Sequence, residues 1–458
     1  MYIRRIEINN IRSIEHFEMA FPNGKEAGWH VLIGDNGAGK STIIRAVALA
    51  LLDYADISAA RQDWNAWLQT GQRIGSIDIV IAPNSRYDGD ERTVQNRVTF
   101  EGAVALNEEN QIIVTDSQAS LLEVIFRSRK VYDKTLSSTA TASQPYVTTT
   151  IPLPTPSPPI VHYSQSNAWF SVAYGPFRRF VGGSEEKDKL FQTNPQLGAH
   201  LSVFGEDVAL TEALSFLRTL YIRQIEDRVN ERTVDPTLDN LLLFINRAGL
   251  LPHQATIDSI NIKDGVWFRD GNGYLVQAIQ MSDGYRSILS MTFELIRQLI
   301  RVYSSDIVFA NVRKDNITID LPGVILIDEV DAHLHPTWQT DIGQWFTKYF
   351  PNIQFIVTTH SPLVCRAAEK GTIWYLPAPG SDEKFQEIKG DEKKRLVFGN
   401  VLDAYGTNAF GDNVARSESA NDKLNELAEL NIKSIMGQIS PPEEQKLTEL
   451  RSIFPSEG

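Results

Sequence analysis

Apolar and polar positions alternate along residues 2–21, with Ile3, Ile6, Ile8, Ile11, Ile14 and Phe17 carrying the apolar side, which predicts extended strand. Residues 29–34, WHVLIG, follow without alternation, the pattern of a short buried strand. From about Gly39 to Tyr54 the chain is rich in Ala, Leu and Ile and reads as a helix, and SIDIVIA (76–82) and TVQNRVTF (93–100) read as further strands. Between about Ser128 and Pro159 the pattern disappears into Ser, Thr and Pro, a composition that buries too little surface to order itself and predicts a mobile insertion. NAWFSVAYG (167–175) returns to strand character.

The second half is more helical. Residues 207–250 carry a stripe of Leu210, Leu214, Leu217, Leu220 and Ile225, after which IDSINI, VWFRD and YLVQAIQ predict a hairpin around Asp270–Gly273. A long apolar helix then runs from about residue 285 to Val302. GVILID (323–328) and IQFIVTTH (353–360) are continuous apolar strands separated by a helix with Trp338, Ile342, Trp345, Phe346 and Tyr349 at helical spacing. Strand–helix–strand with unbroken apolar strands predicts an α/β fold built on a mainly parallel, helix-covered sheet. The tail from about 399 is polar and helical, and Ser440 with Glu443 forms a capping box with proline in the first turn.

Length, charge and cysteine content narrow the classes. A chain of 458 residues predicts two to three lobes. Lys and Arg total 44 against 57 Asp and Glu, a net charge of −13, which argues against a surface that wraps nucleic acid as a whole. A single cysteine, Cys365, allows no intrachain disulfide and fits a reducing compartment. With no apolar signal core at the N-terminus and no long apolar run, a cytoplasmic protein that does not enter membranes is expected.

GDNGAGKS (34–41) matches G-x-x-x-x-G-K-[ST] in full, directly after a predicted strand and before a predicted helix. Gly34, Gly37 and Gly39 let the backbone curl so that the amides around Asn36, Gly37, Ala38, Gly39 and Thr42 point at a phosphate, reinforced by the helix N-terminus. Lys40 would bridge the β and γ phosphates of ATP, and Ser41 would ligate Mg²⁺. The strand VILIDE (324–329) would bring Asp328 to Mg²⁺ and Glu329 to the attacking water. His360, in TTHSP at the end of the next strand, would contact the γ-phosphate.

The order GDNGAGKS, MSDGYRS (281–287), VILIDEVDAHLHP, TTHSP, preceded by IEINNIRS at 6–13, resembles ATPases of the ABC type, in the branch containing RecF, the SMC proteins and the OLD-family ATPases. The match covers roughly residues 1–375, with a poorly matched middle. The DEVDAHLHP form and the compact helical tail further resemble ATPase subunits of bacterial anti-phage systems such as Septu, which act beside a separate nuclease.

The resemblance implies an ATPase head with an N-terminal antiparallel β subdomain, an inserted helical lobe and a helical tail. The segments would be 1–127 and 304–398 for the core, 128–160 for the insertion and 161–206 for a return strand and linker. Residues 207–303 would form the lobe and signature helix, and 399–458 a region for partners or assembly. It also implies that MSDGYRS is the ABC signature, with Ser282 and Gly284 contacting the γ-phosphate of an ATP held by another subunit of a homo-oligomer. Asp283 departs from the usual small residue, and Arg286 either adds charge or is a solvated helix arginine. Asp331 and His333 fall where the D-loop crosses such an interface, and Arg12 where a nucleotide-phosphate contact is common, a strand-end arginine being the alternative. No glutamine stands at the expected Q-loop place after Tyr174-Gly175; Gln62 and Gln165 are the candidates.

The expected function is an ATP-driven switch controlling a separate effector, a nuclease above all. About 80 residues follow the neighbourhood of the histidine motif, taken to end near residue 375, too few for a metal-dependent nuclease domain. Leu424, Leu427, Leu430, Leu447 and Leu450 form stripes suited to a partner or to the chain's own ATPase core. A RecF-like DNA-maintenance factor is the alternative, requiring Arg178, Arg179, Lys393, Lys394 and Arg395 on one face. A transporter motor lacks its Q-loop, and a non-hydrolysing scaffold conflicts with Glu329.

Overall fold

The computed structural model describes residues 1–53, 56, 57, 60, 66–84, 87, 93–101, 112–116, 121–127, 169–176, 194–205, 212–261, 265–313, 315, 317–407 and 417–454. The insertion expected at 128–160, both Q-loop candidates (Gln62 and Gln165) and Arg178 and Arg179 lie outside these residues. The chain divides into two units, Met1–Ile388 and Lys389–Gly458.

The first unit opens with strands β1 (Tyr2–Ile11), β2 (Ile14–Ala20) and β3 (Gly28–Gly34), then helix α1 (Lys40–Ala50). Strands β4 (Ile74–Ala82), β5 (Val94–Glu101), β6 (Ile112–Asp116), β7 (Leu121–Arg127) and β8 (Ser171–Tyr174) follow. Helices α2 (Pro195–His200), α3 (Glu212–Val229) and α4 (Thr237–Ala248) lead to β9 (Thr256–Asn261), β10 (Gly265–Arg269) and β11 (Leu275–Gln277). Helix α5 (Asp283–Tyr303), the short α6 (Ser305–Val308), β12 (Gly323–Ile327), α7 (Pro336–Tyr349), β13 (Ile353–Thr359), β14 (Ile373–Leu376) and β15 (Gln386–Ile388) complete it.

The alternating N-terminal segment becomes the antiparallel β1–β2 pair, and β1 also pairs antiparallel with β4. The register of β1 on β4 shifts between Ile3 and Arg5, and this irregularity lets Ile3 and Ile6, three positions apart, both face the core. The sheet runs β2-β1-β4-β5-β7-β6, and one of its pairs, β5 with β7, is parallel rather than antiparallel as expected. β7 inserts between β5 and β6, parallel to the first and antiparallel to the second, so the consecutive strands β5 and β6 are not neighbours.

The second large sheet, β15-β14-β3-β13-β12-β8, is parallel throughout except at β14–β15. The unbroken apolar runs of β3, β12 and β13 are buried on both faces, as such strands must be under two helical layers. Between the sheets lies α1, whose Ile43, Ile44, Val47 and Leu49 are fully buried in one cluster with Ile6, Ile8, Ile77, Leu326 and Ile356. Burial of each such side chain contributes roughly 1.5–3 kcal/mol, so the phosphate-loop helix is held as a core element. On the other face Ile342 and Phe346 of α7 are buried, and Trp29 of β3 stacks with Phe346 at a centroid distance of 6.3 Å. The side-chain amide of Gln354 joins the two sheets: it accepts from the Ile3 N–H at 2.7 Å and donates to the Ile3 carbonyl at 2.9 Å.

The helical stretch expected over 207–250 is two helices, α3 and α4. Pro236 caps α4, and a proline disfavours helical geometry in the residue before it, so α3 cannot continue through. Leu217 and Leu220 of the expected stripe are buried; Leu210 and the side chain of Leu214 lie outside what is described. The hairpin turn at Asp270–Gly273 forms as expected, closing β10 on β11, with β9 completing a three-stranded sheet.

The second unit contains α8 (Gly390–Phe398), α9 (Val401–Tyr405), α10 (Glu418–Ile435) and α11 (Pro441–Ile453). Its leucines are not an outward-facing stripe: Leu427, Leu430, Leu447 and Leu450 bury one another between α10 and α11, with Leu424 packed at the margin. The Ser440–Glu443 capping box starts α11. Among the described residues no helix is long and apolar enough to cross a membrane.

Candidate nucleotide site

The carboxyl ends of three adjacent parallel strands carry the chemistry. After β3, Asp35, Asn36 and Gly37 form the exposed crest of a loop that re-enters at α1 through Gly39. Gly37 and Gly39 have φ of 80° and 94°, and a Cβ at Gly39 would meet Ile14 Cγ1 at 3.2 Å, so glycine is required there for both conformation and space.

Lys40 is buried at the base of this loop, where its Nζ donates to the carbonyls of Gly34 at 2.7 Å and Asp35 at 2.8 Å. Its Nζ also stands 3.5 Å from Nδ1 of His360. Burial lowers the Lys40 pKa to about 8, against the opposing pull of Asp328, Glu329, Asp35 and Asp331. A cation with two carbonyl contacts and four acids around it, held where it is costly to desolvate, is poised for an incoming polyanion.

Beyond β12, Asp328 is buried and accepts a hydrogen bond from Ser41 Oγ at 3.1 Å and from Thr358 Oγ1 at 2.6 Å. The Ser41 hydroxyl and the Asp328 carboxylate are hard oxygen donors side by side, the donor set that Mg²⁺ takes when most of its remaining ligands are water and phosphate. Glu329 follows in a left-handed conformation, φ 47°, its N–H donating to Thr358 Oγ1 at 2.7 Å. Asp331 accepts from Thr359 Oγ1 at 2.6 Å. Thus Lys40, Ser41, Asp328, Glu329 and His360, distant in sequence, converge. The threonines were not singled out from the sequence, although two polar residues closing the apolar run IQFIV are a visible signal.

The signature residues lie at the N-terminus of α5. Ser282 is the N-cap, exposed, and its side chain makes no capping bond. Gly284 lies against the turn after β12 that is expected to be the D-loop, where a Cβ would meet the His333 carbonyl oxygen at 2.7 Å. Arg286 pairs with Asp283 one turn back on the same helix, which ties up the charge considered for phosphate contact. Arg12 sits in the β1–β2 turn with φ 52°, its guanidinium 4.6 Å from the centre of the Trp67 indole. Burial and then Arg45 lower its pKa, so it is a held cation beside α1 rather than a freely solvated one. Beside the expected Q-loop position, the Tyr174 carbonyl accepts from the Asp328 N–H at 2.8 Å, which continues the β8–β12 ladder.

Two family models match the chain: "AAA domain, putative AbiEii toxin, Type IV TA system" over residues 188–366, and "AAA domain" over residues 5–148. The retron Ec83 probable ATPase of Escherichia coli is 33% identical over 163 residues, covering 35% of this chain and 26% of that protein. The Septu protein PtuA of Bacillus mycoides (strain KBAB4) is 23% identical over 455 residues, covering 97% of this chain and 49% of that protein. The chain thus spans about half the length of that PtuA and about a quarter of the retron protein. Among solved structures, an SMC head bound to the C-terminal winged-helix domain of ScpA superposes with a TM-score of 0.43 at 14% identity, over 86% of this chain and 99% of that one. The resemblance drawn from the motifs is matched by homology, for the relatives of this chain are Septu PtuA and retron ATPases.

Proposed function

We propose that the chain hydrolyses ATP and acts as a switch in anti-phage defence, with ATP sandwiched between subunits of a homo-oligomer and a separate effector, such as a nuclease, under its control. The observation that carries this reading is the convergence of Lys40, Ser41, Asp328, Glu329 and His360 at the ends of three parallel strands. The homology to Septu and retron ATPases supports the biological setting.

In this reading the loop amides from Asn36 to Thr42 and the α1 N-terminus receive the phosphates, and Lys40 leaves its carbonyl partners to bridge β and γ. Ser41 and Asp328 would hold Mg²⁺, which when bound would supply charge neutralisation at the phosphate oxygens. Glu329 orients a water and takes its proton as oxygen attacks the γ-phosphorus and the bond to the β-phosphate oxygen breaks. His360, beside Lys40, senses whether the γ-phosphate is present. Ser282, with its side chain free of a capping bond, and the amides at the start of α5 address the γ-phosphate of the neighbouring subunit. Arg12 contributes positive potential from the β1–β2 turn.

Glu329→Gln tests the scheme. The variant should bind ATP, fail to hydrolyse it and accumulate as dimers or larger assemblies on size-exclusion chromatography with ATP and Mg²⁺. A variant that stays monomeric at saturating nucleotide refutes the sandwich.

A further inference from the structure

We propose that Thr358 is a positioning residue whose single hydroxyl sets both acids of the β12 exit, and through the main chain fixes where the Glu329 carboxylate stands. The inference rests on the hydrolytic reading above and assigns a role to a residue outside the phosphate-binding motifs.

The geometry begins with strand register. Strands β12 and β13 are parallel with Ile327 opposite Val357, so the next residues outward, Asp328 and Thr358, come level where the sheet ends. Thr358 is fully buried, and a threonine hydroxyl has one proton to give and lone pairs to receive. The proton goes to Asp328 Oδ1 at 2.6 Å, because the other neighbour of the hydroxyl, the Glu329 N–H, can only donate. A lone pair therefore faces the Glu329 N–H, 2.7 Å away. Both bonds are short and lie where Thr358 gives water no access, so solvent cannot replace them readily.

Glu329 has φ 47°, a conformation that residues with a Cβ seldom adopt and keep only when neighbours impose it. The N–H of Glu329 is the group that Thr358 holds. The side-chain direction of a residue follows its main-chain torsions, so releasing that N–H lets the Glu329 carboxylate swing away. The adjacent Thr359 turns to the opposite side and grips Asp331, so it cannot substitute. The bonds of Lys40 to the Gly34 and Asp35 carbonyls do not involve Thr358, and Ser41 meets it only through the acceptor they share, Asp328 Oδ1. A loss at Thr358 should therefore appear in turnover more than in binding of the phosphates.

The test compares wild type with Thr358→Val, which keeps the shape and removes the hydroxyl, and Thr358→Ser, which keeps the hydroxyl. Steady-state ATP hydrolysis and hydrogen exchange of the peptide containing Glu329 in nucleotide-free protein are measured for each. Thr358→Val should lower kcat at least about tenfold with KM within about twofold, and Thr358→Ser should restore kcat to within about threefold of wild type. In the Val protein the Glu329 amide should exchange faster than in wild type; in the Ser protein it should not. Wild-type kcat in Thr358→Val, equal impairment by Ser and Val, or unchanged amide protection in Val would each overturn the assignment. If Thr358→Val does not fold, Thr358→Ala carries the same expectations. A wild-type protein that hydrolyses no ATP refutes the proposed function instead, while the exchange comparison still decides the role of the hydroxyl.

Discussion

Gly284, at the start of α5, lies so close to the turn after β12 that a Cβ there would come to 2.7 Å of the His333 carbonyl oxygen. His333 itself has a positive φ of 65°, so neither partner has room to relax cheaply. The element proposed to address a neighbour's phosphate is therefore seated on the element proposed to line the same interface. Gly284→Ala should push the two apart. ATP binding by the isolated subunit should stay within about twofold, while hydrolysis and ATP-driven assembly should fall by roughly tenfold or more. Full activity in this variant, read by phosphate release and size-exclusion chromatography, would show that the close seat is dispensable.

Lys40 offers a pH test. Its folded pKa of about 8 lies below the 10.5 of an unperturbed lysine, so the folded, nucleotide-free protein binds this proton more weakly than the unfolded chain does. The stability contribution of Lys40 is therefore greatest above pH 10.5 and is lost as pH falls through about 8. Two outcomes follow from that sign. Binding of ATP, which needs the charged form, should weaken as pH rises through about 8. Lys40→Met should lose ATP binding at pH 7 while its thermal midpoint without nucleotide equals or exceeds that of the parent. A marked fall in that midpoint would mean that the carbonyl contacts of Lys40 outweigh its desolvation.

Gln354 is expected to matter for stability rather than chemistry. Gln354→Leu would leave the buried N–H and carbonyl of Ile3 without the partners they have in the parent. Leaving such groups unpaired costs about 1–3 kcal/mol each, so a loss of roughly 2–6 kcal/mol is expected in chemical denaturation. A variant as stable as the parent would show that the Ile3 backbone finds other acceptors and donors.

The strand–loop–helix at 28–50 was legible because its whole geometry is local: three glycines, a lysine and a serine within eight residues, bounded by a strand and a helix. The parallel sheet was legible for a similar reason, since unbroken apolar strands imply cover on both faces. What escaped depends on pairings between distant segments. Thr358 acquires its partners only through the register of β13 on β12, and the parallel β5–β7 pair only through the order in which strands enter the sheet. The tail leucines show the same limit from another side. An apolar stripe states that a face will be covered, and α10 and α11 cover each other.

Strand β13 is anchored at its entry by the Gln354 clasp on Ile3, and at its exit it presents Thr358, Thr359 and His360 to Asp328, Asp331 and Lys40. A hydrogen-bonded strand resists stretching far more than a loop does, so the segment between these ends works as a strut. Ile3 of the first strand and Asp328 of the β12 exit therefore hold opposite ends of this one strand. The N-terminal sheet thus meets the loop at 34–41 by two routes, through β13 and through Ile14, whose Cγ1 would lie 3.2 Å from a Cβ at Gly39.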